Sequence, residues 1–189
     1  MTATIDLFER TGTAGAPISE NATNNNWKSE DRKDSLYKYY YYPIKRPEGD
    51  VWVKHSASRY MYARISGTFA EIKRVRWQIT GLGMTSGLRM YLKQTHTYVE
   101  PTIDFDGSLI YGNTSPLYIY PNLSTSGPTS ATTRIHTLAS NTTYYTDFIK
   151  SQLWIDDTTD VFDDDGNLIT QHVGNSDVIK FELQMDEYE

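Results

Sequence analysis

The chain has 189 residues, 24 of them acidic and 18 basic, for a formal net charge of −6; this length supports a substantial hydrophobic core, and the acidic balance argues against a dedicated nucleic-acid binder. There is no cysteine, which excludes disulfides, thiolate catalysis and zinc–thiolate centres. Aromatic residues make up 13% of the chain and 15 of them are tyrosines, a side chain suited to half-buried strands and interfaces.

The first ten residues, from Met1 to Arg10, carry no basic stretch followed by an apolar core, so they do not read as a secretory signal. No apolar run approaches bilayer length. Residues 1–50 are expected to form an extended polar arm, because residues 11–17 and 21–26 are small, polar and turn-prone. Such a segment buries too little on its own to offset its ordering entropy. Ile5, Leu7, Phe8 and Trp27 are its candidate anchors on a neighbouring surface; the alternative is an arm that folds back on its own domain.

A tyrosine-rich run follows over residues 36–47. In a strand, its consecutive tyrosines point to both faces and need cover on both. Three readings stand: an intersubunit strand, an internal strand of one sandwich, and a stacking platform for sugar rings. The first makes Tyr37, Tyr39, Tyr40, Tyr41, Tyr42 and Arg46 interface residues. Pro43 and Pro47 limit ladder pairing and mark the exit into the main domain, residues 51–189.

From Val51 the pattern becomes a series of short strands. Residues 51–54 begin it, 59–65 continue it, and Gly67-Thr68 reads as a break. Residues 74–80 alternate cleanly, with Val75, Trp77 and Ile79 on one face and Arg74, Arg76 and Gln78 on the other, as a half-buried strand requires. The glycine-rich stretch 81–87 reads as a turn. Leu88, Met90 and Leu92 share a face of the next strand. Further strands are expected over 108–111, 117–120, 133–138, 144–155 and 178–185, the fourth on its aromatic and β-branched content. The Asp-Gly step at Asp165-Gly166 is a hairpin or turn signal. Short strands separated by Gly, Pro, Asn and Asp turns point to an all-β chain: an antiparallel β-sandwich or jelly-roll-like domain with an extended N-terminal arm.

Catalytic and metal motifs are missing from the sequence. His55, His96, His136 and His172 lie at no metal-ligand spacing, and there is no phosphate loop, nucleophile elbow or dinucleotide fingerprint. The acidic stretch 156–167 is the best metal candidate. Aligned on its glycine as a calcium loop, it puts Val161 where an oxygen ligand is required and His172 where a bidentate glutamate belongs. It reads as a solvated, self-repelling loop, with a looser surface cation site as the alternative. Sequons at Asn21, Asn113, Asn122 and Asn141 read as loop composition. A carboxylate pair for glycoside hydrolysis depends on spatial proximity, and nothing in the sequence favours one. No cofactor, catalytic residue or metal ligand is assigned.

Several segments carry a resemblance: residues 26–29, 43–47, 64–69 leading into 72–77, and 115–124 followed by 127–133. In these the chain is similar to small structural proteins of tailed bacteriophages, of cyanophage type. The resemblance implies a non-enzymatic virion component of the neck, tail or capsid-decoration layer. Its expected partners are copies of itself, as a homo-oligomer, and other virion proteins, with no direct nucleic-acid or membrane contact. The alternative function is a carbohydrate-binding module or adhesion protein that uses exposed Tyr and Trp.

Overall fold

A computed structural model describes residues 2–22, 40–42, 53–55, 58–80, 88–100, 110–111, 117–155 and 180–188. They form β1 (Thr2–Thr13), β2 (Ala16–Asn21), β3 (Tyr40–Tyr42), β4 (Val53–His55), β5 (Arg59–Thr68), β6 (Glu71–Thr80) and β7 (Leu88–Thr95). After these come β8 (Ile110–Tyr111), β9 (Leu117–Ile119), β10 (Leu123–Ser124), β11 (Thr137–Ala139), β12 (Tyr144–Thr146), β13 (Phe148–Ile155) and β14 (Lys180–Tyr188). The fold is an all-β sandwich. A ten-stranded sheet holds β1–β5, β7, β8, β10, β12 and β13, and a four-stranded sheet holds β6, β9, β11 and β14. Every pairing is antiparallel.

The period-two pattern explains why the sheets meet. Ala63 and Ile65 of β5, Met90 and Leu92 of β7 and Ile149 of β13 face Ile72, Val75, Trp77 and Ile79 of β6, joined by Leu138 and Leu183. Burial of these side chains is the main favourable term holding the sheets together. β5 lies centrally in its sheet, with β1 on one edge and β12 and β13 on the other. Both of its faces are also covered. Its outward residues Tyr60 and Tyr62 are buried in a second cluster with Tyr98 and Phe148. Tyr98 meets Tyr60 edge-on at 5.1 Å between centroids, and its hydroxyl donates to the Gly12 carbonyl at 2.6 Å.

Of the N-terminal segment, residues 2–22 take the second of the two courses expected for it and fold back on their own domain. β1 pairs with β5 from Thr2 opposite Thr68 to Arg10 opposite Tyr60, and β2 folds back on β1. The physical reason lies in its side chains. Ala3, Ile5 and Leu7 pack against the inter-sheet core, which offsets the ordering entropy that the polar composition alone does not repay. Gly67 departs from the expected break, because β5 runs through it to Thr68. Its φ is +115°, and a Cβ there would lie 2.6 Å from the Thr2 carbonyl oxygen. Glycine thus permits the close approach of β1 rather than ending the strand.

The strand expected over 144–155 is present but divided by Asp147 into β12 and β13. The turn signal and acidic stretch over 156–167 lie outside the described residues.

Candidate functional site

β6 is paired along its length by β14 on one edge. On its other edge β11 covers residues 71–73 and β9 covers residues 77–79. Between them residues 74–76 have no ladder partner on that side among the described residues. The register against β14 also shifts there: Gln184 lies opposite Arg76 and Asp186 opposite Lys73. Two residues of β6 thus oppose one of β14, which is a β-bulge.

Arg74 sits in this bulge with φ +51°, a left-handed conformation that costs a non-glycine residue roughly 1–2 kcal/mol. Its surroundings hold it in place. Arg76 Nη1 donates to the Arg74 carbonyl at 2.9 Å, and the Arg74 guanidinium pairs with Asp186. Arg76 Nη1 also reaches Asp186 Oδ1 at 3.4 Å. Bulges and strained residues of this kind recur where a sheet re-aims side chains towards a site.

A cleft of about 290 Å³ opens at the gap. Its floor is Lys73, Arg74 and Val75, and its walls are Tyr120 with Pro121 and residues 134–137. The Arg134 guanidinium lies over the Tyr120 ring, 4.5 Å from its centroid. Lys73 is paired with Glu71 at 2.6 Å. Tyr118 and Tyr120 are 47% and 43% exposed. Tyr118 lies on the outward face of β9, since its neighbours Leu117 and Ile119 pack against the core. In register beside it are Gln78 and then Glu182. No family model, curated protein or solved structure matches the chain. The cleft lining offers the guanidiniums of Arg74 and Arg134, the Lys73 ammonium, the His136 imidazole and the Tyr120 ring, which are groups that bind oxyanions and stack on rings.

One wall of the cleft is anchored by a buried carboxyl. Asp147 is 1% exposed. It accepts from Gln94 Nε2 at 2.8 Å, from the Asn122 backbone N–H at 3.2 Å and from Asn122 Nδ2 at 3.1 Å. Gln94 also donates to the Tyr120 carbonyl at 3.2 Å. Burial pushes the Asp147 carboxyl up to about 7, against the lowering effect of the hydrogen bonds from Gln94 and Asn122. Asn122, one of the sequon residues, is thus part of this network.

The residues expected to form an interface are placed as follows. Ile5 and Leu7 pack on the inter-sheet core. Phe8 stacks on Tyr62 on the opposite face of the sheet, at 5.2 Å and 19°. All three are half-buried and make contacts within the chain. Tyr40, Tyr41 and Tyr42 form β3, which pairs with β4. Trp27, Tyr37, Tyr39 and Arg46 lie outside the described residues. Among the described residues no group of three or more His, Asp or Glu is arranged to hold a metal ion. The sequence reading passed over Tyr118, Tyr120, Arg134 and Asp147. Only the alternation of Leu117 and Ile119 with the two tyrosines signalled part of this set.

Proposed function

We propose that this chain is a non-enzymatic structural protein of a bacteriophage particle, working through contacts with copies of itself and with other virion proteins. The observation that carries the reading is Ile18. It is 55% exposed on β2, a strand that pairs only with β1 among the described residues. An open sheet edge offers its backbone groups to a strand of another chain, and Ile18 adds an apolar contact there. The resemblance of residues 26–29, 43–47, 64–69, 72–77, 115–124 and 127–133 to phage structural proteins supplies the setting.

Analytical ultracentrifugation over a range of concentrations tests this reading. The expected result is a defined oligomer that Ile18→Glu shifts to monomer without changing the circular dichroism spectrum. A chain that stays monomeric throughout, and is absent from purified particles, overturns it.

A second reading is carbohydrate binding, and the exposed Tyr118 and Tyr120 favour it. Sugar rings stack on aromatic faces, and Gln78 and Glu182 beside Tyr118 offer planar partners for hydroxyl groups. A glycan array without a signal above background removes it.

A further inference from the structure

We infer that the cleft at the β6 bulge binds an acidic saccharide, with Arg134 taking the carboxylate and Tyr118 the sugar ring. This rests on the second of the two readings above and adds the charge of the ligand. Arg134 carries the argument. Lys73 is occupied by Glu71 and Arg74 by Asp186, so these two shape the local field and are themselves largely compensated. The Arg134 guanidinium carbon instead lies over the Tyr120 ring, 4.5 Å from its centroid, and no carboxylate among the described residues lies within ion-pair distance of it. A guanidinium held over a ring face still has N–H groups to offer, and its fork suits a carboxylate through two parallel hydrogen bonds. The ring contact restrains the guanidinium before the ligand arrives and so reduces the ordering penalty of binding.

The neighbouring ring completes the site. Tyr118 lies on β9, two residues before the cleft-lining Tyr120, so its exposed ring flanks the cleft about 7 Å along the chain, which is the scale of one sugar unit. The cleft volume of about 290 Å³ lies at the lower end of ligand-site volumes, as suits a single sugar residue rather than a large cofactor. The bulge makes the room: a β6 paired evenly on both edges would leave no gap between β9 and β11.

The test is calorimetric titration of the full chain with tetragalacturonate and with its methyl ester, which keeps the rings and masks the charge. The expected result is binding of the acid that is weakened about tenfold or more by esterification, by Arg134→Gln and by Tyr118→Ala. Arg134 and Tyr118 are exposed, so both variants should keep the wild-type circular dichroism spectrum. Equal binding of acid and ester, unchanged by Arg134→Gln, overturns the inference and leaves a neutral-sugar face. Inorganic phosphate binding as tightly as the tetramer, with Tyr118→Ala without effect, also overturns it, because the cleft is then an anion site that does not read sugar. Tighter binding of a peptide spanning residues 156–165 overturns it in favour of an acidic protein segment. Binding of neither saccharide overturns this inference, and the glycan array then decides the second reading by itself.

Discussion

A carboxylate and a guanidinium stand where the alternation of two strands demands apolar side chains. Glu9 continues the face of β1 that carries Ile5 and Leu7, and Arg59 continues the face of β5 that carries Ala63 and Ile65. The two meet in a forked pair, with Arg59 Nε to Glu9 Oε1 at 2.6 Å and Nη2 to Oε2 at 2.5 Å. Both are almost fully buried, at 4% and 1% exposure. Removing the carboxylate of such a buried pair takes away the charge that faces the guanidinium, at a cost of about 3–5 kcal/mol. Glu9→Gln is therefore expected to lower the urea midpoint by a corresponding amount. A loss under about 1 kcal/mol would show that Arg59 is held by other contacts. No sequence rule exposes this pair, since hydropathy counts Glu9 as an interruption and its partner lies 50 residues away. Phe8 was legible as an anchor, but the surface it anchors to, Tyr62, depends on the strand register.

At the scale of the element, Asp147 divides what the sequence presents as one strand into β12 and β13. Its backbone N–H donates to the Asn122 carbonyl at 3.0 Å, so the chain leaves its ladder to hold the β9–β10 connection. The folded carboxyl titrates near 7, against 3.8 as its ordinary value. Between about pH 4 and pH 7 the folded state therefore holds a proton that the unfolded state has released. Stability from this group is fully present below about pH 4, falls as the pH rises from there by about 1.4 kcal/mol per pH unit at most, and is lost once the pH has passed the folded value of about 7. Thermal midpoints measured from about pH 5 to pH 8 should fall more steeply for the wild type than for Asp147→Asn. Parallel slopes would show that the carboxyl is ionised throughout. The aromatic and β-branched content of residues 144–155 gave the right class of element. The break escaped it because the partners that draw Asp147 out, Asn122 and Gln94, are distant in sequence.

For the molecule as a whole, the all-β class and the two-sheet core were legible from period-two patterning. Val75, Trp77 and Ile79 face inward as their spacing requires, and Arg74, Arg76 and Gln78 face out. The destination of the N-terminal segment was not legible, because its inward face is carried partly by Ala3, Glu9 and Thr11, which composition scores as loop. Closure of the small sheet is similarly non-local, since β14 pairs with β6 across about a hundred intervening residues. Such contacts form only after a large loop-closure entropy has been overcome. A chain ending at residue 179 would lack Leu183 and leave one edge of β6 open. It is expected to lose cooperative thermal unfolding and to bind a hydrophobic dye. Retention of the wild-type transition would place the stability of the sandwich elsewhere.

The bulge at Arg74 has one more consequence. Ile72 points inward from an even position, whereas Val75, Trp77 and Ile79 point inward from odd ones. The supernumerary residue thus acts as a phase shift between two halves of a single strand. Each half keeps its apolar side chains on the core, although the rule that selects them changes sign midway. It also lets the halves take different neighbours, β11 for one and β9 for the other. The residue that absorbs the shift is itself one of those flooring the cleft, so the repair of the pattern and the opening in the surface have a common origin.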